Sequence, residues 1–224
     1  GTAGTGEDLV VPFDTSLIME NCLELKINKN GKKIKIKKKN CKKSELTLNA
    51  TVEISNTLEQ SNEILVNIYD IEGDILFSRK FSLSAHASKE LVLKDDIGYN
   101  KKGIVIIQSV KSSGLIASIK QYQRNKEGNI ILAYQVPAKI SYGSVLQGSY
   151  DSSNGQKSSL VLINSNSTDQ ELSLGLKTSD GSIILEGENL RVPAYGRRVV
   201  DLNPLMKGTQ DGLVTVQTNN QNTI

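Results

Sequence analysis

"TVEISNTLEQSNEILVNIYDIEGD", Thr51 to Asp74, and "SLVLINSNSTDQELSLGLKTSDGS", Ser159 to Ser182, are one pattern written twice. At an offset of 108 residues Asn56 falls on Asn164, Val66 on Leu174, Ile68 on Leu176, Glu72 on Asp180 and Gly73 on Gly181. One inserted residue later the match resumes at an offset of 109. "FSLSAHASKELVL" then lies over "LRVPAYGRRVVDL", with Leu83 on Val192, Ala85 on Ala194 and Leu93 on Leu202. "KKGIVIIQS" follows over "QDGLVTVQT", with Gly103 on Gly212. The features keep their order in both copies, the signature of an internal duplication.

Each copy reads as strands. "VEIS", "ILVNIYD", "DILFSRKFSL", "KELVLK" and "GIVIIQSV" are short runs of β-branched or apolar residues, several alternating in polarity. Between such runs stand "IEGD", "SDGS" and "KEGN", where glycine supplies the positive φ of a tight turn. "DDIGYNKKG" and "NPLMKGTQDG" have room for a short turn of helix, and no longer window carries a helical period. The expected fold is therefore all-β: two tandem antiparallel β-sandwich modules, the first preceded by a basic β-hairpin. Residues 1–140 are expected to hold an N-terminal arm, the hairpin over 22–41 and the first sandwich; 141–224 hold a second, incomplete one.

The order strand, Asn, polar turn, strand, D/E-G, strand, small-residue turn, V-x-L, G-x-V-x-V resembles tandem immunoglobulin-like or fibronectin-III-like β-sandwich modules of secreted or surface-anchored bacterial proteins. "LVLINSNSTDQELSLGLKTSDGS", "VPAYGRRVVDL" and "DGLVTVQ" carry the resemblance, which covers most of 47–224. The Cys…Trp…Cys spacing of true immunoglobulin domains is missing, because the chain has no Trp. The resemblance implies a stalk, spacer or adhesive role, a cell-surface protein or glycan as partner, and no catalytic residues.

The copies differ in extent. The first continues through "GLIASIKQYQRNKEGNIILAYQVP", a hairpin turning at Lys126-Glu127-Gly128-Asn129, and the second has no such continuation. Without that hairpin the second sandwich keeps an unpaired strand edge, an aggregation hazard unless it is covered. The cover is expected from further chain, from "EDLVVPFDTSLIM" near the N-terminus, or from strand exchange with a neighbouring molecule.

"KINKNGKKIKIKKKNCKK", Lys26 to Lys43, holds ten lysines and no acidic residue, while the whole chain has a formal charge of only +3. Basicity is thus a local feature on a mildly acidic body. A two-residue turn at Asn30-Gly31 would set Ile27 opposite Ile34 and Leu25 opposite Ile36, aligning the apolar residues on one face. The other face would hold Glu24, Lys26, Lys33, Lys35 and Lys37, with Lys26 directly opposite Lys35, an unfavourable pairing. Lys26, Lys33, Lys35 and Lys37 are the candidate contacts for an acidic polymer such as lipopolysaccharide, teichoic acid, acidic polysaccharide or nucleic acid. The plainer alternative is a solvated strand face whose charges deter edge-to-edge pairing. No aromatic residue interleaves the lysines, and lysine lacks arginine's bidentate geometry, so base readout is not supported.

Cys22 and Cys41 flank the lysine run, one at the base of each arm. They are either two thiols or one disulfide, and the hairpin favours the disulfide, hence an oxidising, extracellular or cell-surface location. Metal-ligand cysteine spacing is absent, no apolar run reaches the roughly 18 residues of a membrane span, and no cofactor motif is present. His86, the only histidine, falls in a turn, with Tyr195 at its place in the second copy. Asp70, Glu72 and Asp74 read as turn residues, because a calcium loop's spacing is missing. Glu186 and Glu188 would share one side of a regular strand about 7 Å apart, a weak echo of paired glycosidase carboxylates. Tyr122, Tyr134, Tyr142 and Tyr150 surround the junction between copies as candidate seam or carbohydrate-stacking aromatics. No catalytic residue is expected.

Overall fold

The structure is a computed structural model that describes residues 8–19, 23–27, 33–37, 45–110, 114–140, 145–152, 157–206 and 211–218. Its strands are β1 (Leu9–Thr15), β2 (Leu17–Met19), β3 (Leu23–Ile27), β4 (Lys33–Lys37), β5 (Glu45–Asn56), β6 (Asn62–Asp70), β7 (Ile75–Leu83) and β8 (Ser88–Val92). After the short helix α1 (Leu93–Ile97) come β9 (Lys101–Ser109), β10 (Leu115–Arg124), β11 (Ile130–Pro137), β12 (Lys139–Ile140) and β13 (Val145–Asp151). The chain continues through β14 (Ser159–Ile163), β15 (Gln170–Thr178), β16 (Ile183–Val192), β17 (Arg197–Asp201) and β18 (Asp211–Thr218). The fold is all-β and every strand pairing is antiparallel.

Two sheets enclose the first core. One has the order β12-β1-β9-β6-β7; the other runs β11-β10-β5-β2, with β8 also on β5. Alternation decides what each strand buries: Ile64, Val66 and Ile68 of β6 are fully buried, and Leu65 and Asn67 between them are not. Val11 and Phe13 from β1 and Val105 and Ile107 from β9 meet Val52 and Ile54 from β5 and Ile119 from β10 in one cluster. Burying each such side chain is worth about 1.5–3 kcal/mol. A second cluster lies between β13-β18-β15-β16 and the two-stranded sheet β14-β17, built on Leu162, Leu174, Leu176, Val192, Leu202 and Met206. Both layers have the character of a β-sandwich.

The duplication recurs bond by bond. Asn56 Nδ2 donates to the carbonyls of Gln60, Leu83 and Ser84 at 2.8, 3.3 and 2.9 Å, and its Oδ1 accepts from Leu58 N at 3.1 Å. Asn164 Nδ2 donates to Thr168, Val192 and Pro193 at 2.8, 3.2 and 2.9 Å, and its Oδ1 accepts from Asn166 N at 3.0 Å. His86 and Tyr195 share a left-handed backbone, with φ of 54° and 52°. Leu93 at the start of α1 and Leu202 at the head of the 202–206 turn are both buried.

Register extends the repeat to a strand that the sequence offset conceals. Phe13 of β1 is opposite Gly103, and Tyr150 of β13 is opposite Gly212. A Cβ on either glycine would lie 1.8–2.0 Å from a carbonyl of the neighbouring strand, Tyr69 O or Lys177 O, so only glycine fits there. β13 therefore takes the place of β1. The constant offset fails here because β2, β3 and β4 lie between β1 and β5.

Three expectations are corrected. The N-terminal segment does not complete the second copy: β1 pairs with β9 and β2 with β5, both in the first. By the same pairing, the basic hairpin sits inside the first sandwich's strand order rather than ahead of it. Its register also differs by one residue from a two-residue Asn30-Gly31 turn, with Ile27 opposite Lys33, Leu25 opposite Lys35 and Lys26 opposite Ile34. A one-residue slip moves every pairing. In the observed register Lys26 and Lys35 are not directly opposed.

Candidate functional site at the seam between the repeats

Two turns meet where the copies touch. In the β6–β7 turn the Asp70 carboxylate accepts from Glu72 N and Asp74 N at 2.9 and 3.0 Å, and Gly73 closes the turn at φ 91°. At the β16–β17 turn, Asp169 from the β14–β15 connection accepts from Ala194 N at 2.9 Å and from Arg191 Nε at 2.9 Å. The Arg191 guanidinium, then the Ala194 amide, hold the Asp169 carboxyl below the usual carboxylate range. An aspartate thus braces each turn, Asp70 from within it and Asp169 from the neighbouring connection.

Backbones come together between them. Arg197 N donates to Ile71 O at 3.0 Å. A Cβ on Gly73 would lie 1.9 Å from Ala194 O, and one on Gly196 would lie 2.8 Å from Ile71 O. The rings of Tyr69 and Tyr195 stack with centroids 4.8 Å apart and planes 13° apart. Such a pair adds about 0.5–1.5 kcal/mol beyond its burial. The two rings pack on Val10, Ile104 and Ile106, the outward residues of β1 and β9. β9 is consequently buried on both faces from Gly103 to Ile107, whereas at the matching place in β18 Leu213 is half exposed. Burial raises the Tyr69 phenol above its ordinary value, and Tyr195 and Asp8 add to it.

Arg197 pins the other side of the joint. Its Nη1 donates to Phe13 O at 2.7 Å, while its Nε is buried without a hydrogen-bond partner. Burial lowers its pKa, opposed by Asp14 and Tyr134 nearby. Tyr134 donates to Gln121 Oε1 at 2.9 Å, and burial, followed by Asp14, raises its phenol while Arg197 opposes.

Of the four junction tyrosines, Tyr134 reaches this joint. Tyr150 lies in the second core with its hydroxyl donating to Lys177 O at 3.1 Å, and Tyr122 lies under the Arg124 guanidinium, 5.1 Å away. Tyr142, Cys22 and Cys41 are outside the described residues. Lys26 falls in β3 and Lys33, Lys35 and Lys37 in β4; among the described residues these two strands pair only with each other. His86 lies on the surface, Nε2 3.1 Å from a Glu59 carboxylate oxygen. Glu186 and Glu188 flank Gly187 at φ 74°, where the β15–β16 register is irregular, so they do not sit on a regular strand. No group of three His, Cys, Asp or Glu among the described residues could hold a metal ion, and no helix there is long and apolar enough to cross a membrane.

Sequence reading missed Tyr69, Tyr195, Gly196 and Arg197. The available signal was the unbroken apolar run Ile104–Ile107, which marks a strand covered on both faces and so asks what lies on the second one. No family model, curated protein or solved structure matches the chain.

Proposed function

We propose that the chain is a non-catalytic structural or adhesive segment of an exported or cell-surface protein, two tandem β-sandwich modules joined into a stiff spacer. The seam carries this reading. Stacked tyrosines, a half-buried arginine and two glycine-dependent backbone contacts favour one relative placement of the copies, whereas beads on a flexible linker have no use for them. The groups at the joint are engaged in bracing turns and carbonyls, which supports a mechanical role over a chemical one. Small-angle scattering of the whole chain tests it: a single rigid arrangement is expected, unchanged between low and moderate salt. A broad ensemble of separations would refute the spacer reading. The exported location rests on Cys22 and Cys41, and native material should show no reactive thiol after denaturation.

A second reading is favoured by one observation, the separateness of the β3–β4 ribbon, which pairs with no other described strand and so stands available as a basic element. In it Lys26, Lys33, Lys35 and Lys37 bind an acidic polymer. Lys33→Gln, Lys35→Gln and Lys37→Gln together should then abolish retention on heparin or lipopolysaccharide at low salt; unchanged retention eliminates this reading.

A further inference from the structure

Ile130, Ile131 and Leu132, at the start of β11, are 53%, 53% and 50% exposed. Single exposed apolar residues are ordinary. Three in succession are not, and among the described residues no other such run is exposed. Consecutive strand residues point to opposite faces of a sheet, so both faces of this end of β11 are bare. The turn beside them is well closed. Asn125 N donates to Asn129 O at 3.0 Å, Asn129 N to Asn125 Oδ1 at 2.9 Å, and Arg124 Nη1 to Gly128 O at 2.6 Å. The apolar side chains are therefore held on an ordered tip, where every residue from Lys126 to Gln135 is exposed.

Register puts that tip beside the root of the basic ribbon. Ile130 is opposite Arg124, Arg124 opposite Thr47, and Thr47 opposite Leu17, on four neighbouring strands of one sheet. Three gaps of about 4.8 Å separate the outer two strands. β2 ends at Met19, opposite Glu45 at the start of β5, and the ribbon β3–β4 belongs to the chain between those two ends. Four residue steps span at most about 14 Å, so Leu23 enters the ribbon within that distance of Met19. One rim of the first sandwich thus carries an exposed apolar tip and, rooted next to it, the segment with ten lysines. Glu127 on the tip pairs with Lys126 at 3.4 Å, and Glu24 and Glu45 are outnumbered by the lysines.

A soluble polyanion needs the charge and has no use for the tip. An anionic bilayer uses both, because binding at its interface adds buried apolar area to headgroup attraction. We propose that this rim docks on an anionic lipid bilayer, Ile130, Ile131 and Leu132 entering the interface and Lys26, Lys33, Lys35 and Lys37 meeting the headgroups. The inference rests on the acidic-polymer reading for its lysines; it names the polyanion as a membrane surface and adds the tip. It uses side chains beside a closed turn, and no unpaired backbone edge enters it.

Flotation of the full chain with vesicles is the test, using phosphatidylcholine alone or mixed with phosphatidylglycerol, beside retention on heparin at the same low salt. Wild type should float with the mixed vesicles and not with phosphatidylcholine, and added salt should weaken the binding. Ile130→Thr, Ile131→Thr and Leu132→Thr together keep good strand formers. They should lower vesicle affinity roughly tenfold or more and leave heparin retention unchanged. Lys33→Gln, Lys35→Gln and Lys37→Gln together should lose both. The chain has no Trp, so Ile131→Trp supplies a lone fluorescent reporter that does not depend on the folding of the threonine variant. Its emission should shift to the blue on mixed vesicles only, and circular dichroism confirms that each variant folds. A threonine variant that floats as wild type does, or an unshifted Ile131→Trp emission, overturns the proposal and leaves the lysines to a soluble polyanion. So does a wild type held on heparin but not on vesicles. A wild type held on neither removes the acidic-polymer reading as well.

Discussion

One asparagine organises each copy. Asn56, 2% exposed, donates to backbone carbonyls left over where the strands before and after it end, and it accepts from an amide two residues on. Asn164 does the same with the corresponding groups. An amide suits the position because it is donor and acceptor at once, and the receiving carbonyls have little access to water. Asn56→Ala and Asn164→Ala should each destabilise the chain by about 1–3 kcal/mol, the cost of leaving such carbonyls unpaired. Asn56→Asp should be no better, since it keeps the acceptor and loses the donors. Urea unfolding measures all three. The importance of these asparagines was legible, because both survive in the repeat while their neighbours change. Their partners were not: Leu83 and Val192 are 27 and 28 residues further along, and no local pattern ties a carbonyl to an amide at that distance.

At the scale of turns and strands, local chemistry reads well and juxtaposition reads poorly. Gly73 and Gly181 announce tight turns in the sequence, and both take positive φ, 91° and 88°. Only Gly73 lies against another part of the fold, the Ala194 carbonyl, while a Cβ on Gly181 meets nothing within 4 Å. The pair therefore separates turn strain from seam contact. Gly181→Ala should cost about 1–2 kcal/mol, the left-handed penalty alone. Gly73→Ala should cost that much and also spread the seam, seen as a larger scattering radius and greater exposure of Tyr69 and Tyr195 in tyrosine fluorescence. Equal effects from the two substitutions would show that the seam bears no load at Gly73. The basic hairpin illustrates the same limit. Asn30-Gly31 points to a hairpin, and β3 and β4 do pair, but in a register one residue away from the one that a two-residue turn there would set.

For the molecule as a whole the seam has a pH dependence of its own, set at Tyr69. Tyr69 is half-buried beneath Tyr195, and burial, followed by the neighbouring Tyr195 and Asp8, raises its phenol above the ordinary 10.0. An acid whose pKa is raised in the closed state keeps its proton there longer than in the open state. Below the ordinary value both states are protonated, and the closed seam has its full stability. As pH rises through about 10 the open state ionises first, so stability falls until the closed-state value is passed. The joint should therefore loosen in mild alkali while the two apolar cores, held by uncharged side chains, persist. Scattering dimensions followed against pH, alongside tyrosinate absorbance, should show the chain extending as Tyr69 ionises, with circular dichroism unchanged over the same interval. Tyr69→Phe keeps a ring to stack on Tyr195 and removes the titrating group, so its dimensions should stay constant where those of the wild type grow. If the phenylalanine variant extends in alkali as much as wild type does, another group governs the joint, and Tyr69 is a packing residue only.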